Sequence, residues 1–70
     1  MELYQLRQFA AVAKYENMTR AAESLNVAQP AVSKTIRNLE SELGAELFER
    51  TGKGLRRTEQ GDILLRYART

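Results

Sequence analysis

Between Gln29 and Arg37 the chain sets out a carboxamide, a hydroxyl, an ammonium and a guanidinium, on Gln29, Ser33, Lys34 and Arg37. These groups can donate and accept toward the polar edges of nucleotides. A glutamine amide can make two hydrogen bonds to adenine, and lysine or arginine can reach guanine or a phosphate oxygen. No acidic residue interrupts the segment. A second basic stretch, RTGKGLRR at residues 50–57, holds Arg50, Lys53, Arg56 and Arg57, again without an acid.

One helix can present the first set together. Gln29-Pro30 reads as a helix start, because proline lacks the N–H that the first turn leaves unpaired. Gly44 reads as its stop. Over Pro30 to Leu43, stepping about 100° per residue from Val32 leaves Ile36, Leu39 and Leu43 within about 40° of it as a buried stripe. Pro30, Ser33, Lys34, Arg37 and Ser41 then fall on the opposite side, between about 100° and 200°. The outer face is cationic early, and Glu40 and Glu42 follow later. Ala28, Ala31 and Ser33 are small and leave room at the entry. This gradient suits a recognition helix that enters a DNA major groove amino end first, where its partial positive charge meets phosphate. An ordinary solvated surface helix is the alternative.

The neighbouring segments supply a frame. Leu3, Leu6, Phe9, Ala10 and Ala13 recur at helical spacing, predicting a helix over residues 3–15. Thr19 is expected to cap a short helix, TRAAESLN, whose Ala21, Ala22 and Leu25 face inward. Asn26 suits the left-handed residue that ends it. Only Val27 and Ala28 precede Gln29, so the two helices must cross at a large angle, as in a helix-turn-helix. Leu47-Phe48 and Leu55 flank TGKG, which predicts a short β-hairpin. Thr58 then caps a last helix, TEQGDILLRYART. The expected fold class is mainly α, a winged helix-turn-helix with three helices, a hairpin wing and the start of a longer helix.

On the wing, glycines let Lys53 project from the tip toward a minor groove or flanking phosphates. Arg50, Arg56 and Arg57 offer further phosphate contacts, but strand alternation keeps all three from sharing one face. Arg50 paired with a nearby glutamate is the structural alternative.

Bulk properties narrow the field. The 70 residues carry a net charge of +2, built from blocks. Residues 1–28 balance, and residues 38–49 hold Glu40, Glu42, Glu46 and Glu49 without a base between two basic segments. Such blocks give a surface one positive side. The sequence has no cysteine and no histidine, which removes the usual zinc sites, thiol nucleophiles and commonest general bases. An enzyme is not expected, and no metal or cofactor is expected in this domain. Aromatic residues are 7%, too few for a base-stacking RNA surface. No apolar run approaches the ~18 residues of a membrane span. MELYQLRQ lacks the features of a signal peptide. A cytoplasmic, membrane-independent protein is expected.

The run LRQFAAVAKYENMTRAAESLNVAQPAVSKTIRNLESELGAELFERTGKG, followed by TEQG, resembles the N-terminal DNA-binding domain of LysR-type bacterial transcriptional regulators over essentially the whole chain. The resemblance implies base contacts from Gln29, Pro30, Ser33 and Lys34, a wing contact from Lys53, and phosphate contacts near the helix starts, including Thr19 and Arg20. Lys34 and Lys53 stand where the family commonly has arginine, and lysine lacks arginine's planar fork. Gln60 replaces a usually small residue. The resemblance also implies a homodimer whose last helices pair, and a C-terminal domain that binds a small-molecule effector. RNA polymerase is a possible partner of the full-length protein.

Residues 1–58 thus read as the winged helix-turn-helix and residues 59–70 as the start of a linker and dimerisation helix. Ile63, Leu64, Leu65, Tyr67 and Ala68 spread apolar surface over roughly 200° of that helix, more than one packing face requires. Leu64, Leu65 and Ala68 are the expected dimerisation contacts; cover by the remainder of a full-length protein is the alternative. The expected activity is sequence-specific binding of double-stranded DNA, with Arg37 joining the base contacts and Arg50 the backbone contacts. A winged-helix protein-interaction module is the rival.

Overall fold

Polar punctuation cuts the chain into its elements, and most of it acts through the backbone. In the computed structural model, which describes residues 1–69, helix α1 spans Leu3–Tyr15 and ends at Glu16, whose φ of 53° is left-handed. Asn17 returns to extended backbone, and its side chain accepts from the Arg20 N–H at 2.9 Å. Helix α2 therefore runs Met18–Leu25, and Asn17 rather than Thr19 is its cap. A single left-handed residue completes the reversal, so no further linker is needed and Thr19 falls inside the first turn.

Asn26, at φ 60°, closes α2 as expected, its N–H reaching Ala22 and Glu23 carbonyls. Helix α3 follows at Gln29–Leu43, with Pro30 in its first turn and Gly44 left-handed at φ 66° behind it. Strands β1 (Phe48–Thr51) and β2 (Gly54–Arg57) form an antiparallel hairpin pairing Phe48 with Arg57 and Thr51 with Gly54. Helix α4 spans Glu59–Ala68. The Thr58 hydroxyl accepts from the Gly61 N–H at 3.1 Å and donates to the Glu46 carbonyl at 2.6 Å, fixing both helix start and approach angle. Gly61 is the residue that permits that approach, because a Cβ there would collide with the Leu47 carbonyl.

The core collects Phe9 and Val12 from α1, Ala21 and Ala22 from α2, Val32, Ile36 and Leu39 from α3, then Leu47, Phe48, Leu64 and Leu65. The Phe9 and Phe48 rings lie 5.3 Å apart and tilted by 41°, a favourable aromatic geometry that ties the hairpin root to α1. The small alanines let α1, α2 and α3 pack closely.

The apolar stripes overreach at helix ends. Leu3 is 63% exposed and Leu43 42% exposed, although both lie in register with buried neighbours. Helical phase gives the side a residue faces, not whether another element extends far enough to cover it. Thr35, conversely, is buried at 5% on the inner face of α3. On α4 the expected roles separate differently. Leu64 and Leu65 are buried in the domain's own core, Ala68 is half-buried, and Ile63 and Tyr67 are the exposed apolar residues. Leu64 and Leu65, expected as dimerisation contacts, give most of their surface to the domain's own core. Leu64 also lines, with Leu43, Ile63 and Tyr67, an apolar groove of about 320 Å³. Among the described residues, no helix is long and apolar enough to cross a membrane.

Candidate nucleic-acid interface

Burial of Val32, Thr35, Ile36 and Leu39 fixes the roll of α3 about its axis. Pro30, Lys34 and Arg37 are consequently exposed on the outer face, and neither cation makes an ion pair among the described residues. Gln29 and Ser33 are half-buried, and the Gln29 Nε2 donates to the Ser33 Oγ at 2.6 Å. Ala28, in the cap position, has no side chain to accept from the first turn of α3. The amino end of α3 therefore keeps its outward partial positive charge.

A groove of about 300 Å³ joins this end to the rest of the site. Thr19 from α2, Gln29 from α3 and Arg50 from the wing all line it. Three residues far apart in sequence thus converge on one concave surface. Arg20 is exposed beside them on α2, its N–H held by Asn17.

The wing tip is shaped locally. The Thr51 hydroxyl accepts from the Lys53 N–H at 3.2 Å and donates to the Gly54 carbonyl at 3.3 Å. Lys53 is exposed and makes no ion pair among the described residues. Gly54 adopts φ 134°, and a Cβ there would lie 2.8 Å from the Glu16 carbonyl oxygen. The same carbonyl accepts from the Leu55 N–H at 3.2 Å. The wing is thus hung on the end of α1 by its backbone. Gly54 and Glu16 were not among the expected site residues; the Gly-Lys-Gly turn indicated the hairpin but not its anchor.

The three wing arginines divide their work. Arg56 faces Glu49 directly across the strands and pairs with it at 2.7 Å. The Arg57 guanidinium donates to Asp62 at 2.6 Å and to the Ala13 carbonyl at 3.2 Å, joining β2 to α4 and α1. Arg50, opposite Leu55, has no ion pair among the described residues and faces the groove. The glutamate-paired arginine is therefore Arg56, and Arg50 remains available to an external anion.

Residues 3–62 match the profile of the bacterial regulatory helix-turn-helix protein, lysR family. The chain belongs to the LysR family. The RuBisCO operon transcriptional regulator of Allochromatium vinosum is 51% identical over 69 residues, covering 99% of this chain and 23% of that protein. The chain thus spans about a quarter of the length of that relative. Among solved structures, the CbnR DNA-binding domain in complex with DNA superposes with a TM-score of 0.93 at 42% identity, covering 99% of this chain and 79% of that one. The BenM DNA-binding domain with catB site 1 DNA gives 0.92 at 44% identity, over 97% and 76%. The winged helix-turn-helix expected from the sequence is the LysR fold observed, with four helices and a two-stranded wing.

Proposed function

We propose that this LysR-family domain binds double-stranded DNA sequence-specifically, as the operator-reading part of a transcriptional regulator. The observation that carries the reading is the convergence of Thr19, Gln29 and, with no ion pair among the described residues, Arg50 on one groove. The outer face of α3 enters the major groove, with Gln29, Pro30, Ser33, Lys34 and Arg37 toward the bases. Thr19, Arg20 and Arg50 hold phosphates, and Lys53 reaches the minor groove or backbone. That the CbnR and BenM domains, so similar in fold, are complexed with DNA supports the DNA-binding reading.

Two copies pair through α4, centred on the exposed Ile63 and Tyr67, with Leu64 and Ala68 beside them. The small-molecule effector and any contact with RNA polymerase belong to the remainder of a full-length cytoplasmic regulator, and this domain requires no cofactor. Titration of fluorescent duplex at two salt concentrations tests the DNA reading. Combined Lys34→Ala, Arg37→Ala and Lys53→Ala substitution is expected to weaken binding, relax base preference and flatten its salt dependence by about one counterion, from Lys53. Unchanged, salt-insensitive binding would sink it in favour of a protein-interaction role. Selection from a random duplex pool should return a site with two-fold symmetry.

A further inference from the structure

Gln29 and Ser33 lie one turn apart on α3, both half-buried, and the serine oxygen accepts from the glutamine amide at 2.6 Å. We infer that Ser33 is a positioning residue for Gln29: it determines base preference by holding the carboxamide, and not through a base contact of its own. The inference rests on the DNA-binding reading above and deepens it, replacing a direct base contact at Ser33 by one made through Gln29.

The chemistry of the amide supports this division. Glutamine has three flexible side-chain torsions, so an unrestrained carboxamide loses freedom whenever it is fixed against a base. The Ser33 contact fixes it beforehand. One Nε2 hydrogen is consumed, leaving the other hydrogen and the Oε1 lone pairs. This remaining donor and acceptor match the N7 acceptor and N6 donor of adenine, side by side on the major-groove edge. The backbone beneath is equally constrained. Val32 is fully buried, which sets the roll of α3, and Pro30 sits in the same turn with its φ fixed by the ring. Nothing comparable restrains Lys34, which is exposed and makes no ion pair among the described residues. Discrimination is thus concentrated in the restrained amide, while the lysine supplies adaptable attraction.

The test uses the full chain and a duplex recovered from random-pool selection, together with every single-base-pair variant of it. Affinities are measured for the wild type, Ser33→Ala, Gln29→Ala, the double variant and Ser33→Thr, with thermal melting checking that each is folded. Ser33→Ala is expected to reduce discrimination at the same base pair that Gln29→Ala affects, by about two- to tenfold, the lower part of the range of coupling between neighbouring side chains. The double variant should lose no more than Gln29→Ala alone, and Ser33→Thr, which keeps the hydroxyl, should retain the wild-type preference. A loss at a different base pair, or a double variant whose loss is the product of the two singles, overturns the inference while leaving DNA binding intact. A wild type without any base preference removes the DNA-reading premise and the inference with it.

Discussion

Helix α3 and the wing are placed by different kinds of structure. The rear of α3 is the hydrophobic core, with Val32 and Leu39 fully buried and Ile36 nearly so. In the hairpin only Phe48 is buried, at its root, while the tip is exposed. Above the root held by Phe48 and Arg57, what locates the tip is one backbone hydrogen bond to Glu16, the close passage of Gly54 and the half-buried Leu55. The outer face of α3 is therefore backed directly by the packed interior, whereas the cationic tip depends on local backbone geometry. Side-chain packing fixes the first, and the absence of a side chain permits the second.

The largest effect should come from breaking the rear of the helix. Leu39→Ala deletes a fully buried side chain and is expected to cost about 2–5 kcal/mol. For a domain this small that removes most of its stability, so a thermal melt should show a collapse of the folded fraction and DNA binding should vanish with it. The next effect belongs to the wing anchor. Gly54→Ala forces an unfavourable φ and a contact with backbone, expected to cost about 1–3 kcal/mol. Its neighbour provides the control: a Cβ at Gly52 would meet nothing within 4 Å, so Gly52→Ala should stay within about 0.5 kcal/mol. Equal melting shifts for the two alanines would show that the Glu16 contact does not locate the hairpin. The smallest effects separate two cations of the same wing. Lys53→Ala should lower the salt slope of DNA binding by about one and leave melting unchanged. Arg56→Ala, which removes an exposed ion pair with Glu49, should leave that slope unchanged and shift stability by less than about 1 kcal/mol. A reversed pattern would mean that Arg56 leaves Glu49 for phosphate.

The elements were legible in the sequence because their boundaries rest on local chemistry. Asn26, Pro30, Gly44 and Thr58 each act within a turn of their own position, and each sits where it was expected. The exceptions have separate causes. Glu16 takes a left-handed conformation that its residue type does not announce, and this moves the cap of α2 from Thr19 to Asn17. Leu3 and Leu43 have the correct phase but lie beyond the reach of neighbouring elements. Leu64 and Leu65 read as surplus apolar surface because the Leu47–Phe48 segment they join in the core is distant in sequence. Within the site, residue types at 29, 33 and 34 indicated the chemistry, but the Gln29–Ser33 bond depends on rotamers. The meeting of Arg50 with Thr19 and Gln29 is a product of the tertiary fold.

Arg57 bears on how such a domain can change over time. Its planar, rigid guanidinium spans from the hairpin to a carbonyl of the first helix and a carboxylate of the last. Lysine would keep the charge, yet a single ammonium cannot reproduce the fork that sets the angle between those parts. The residues at the tip are thereby uncoupled from the joint beneath them, and a lineage can redraft Gly52 and Lys53 for a new operator while the scaffold keeps its bearings.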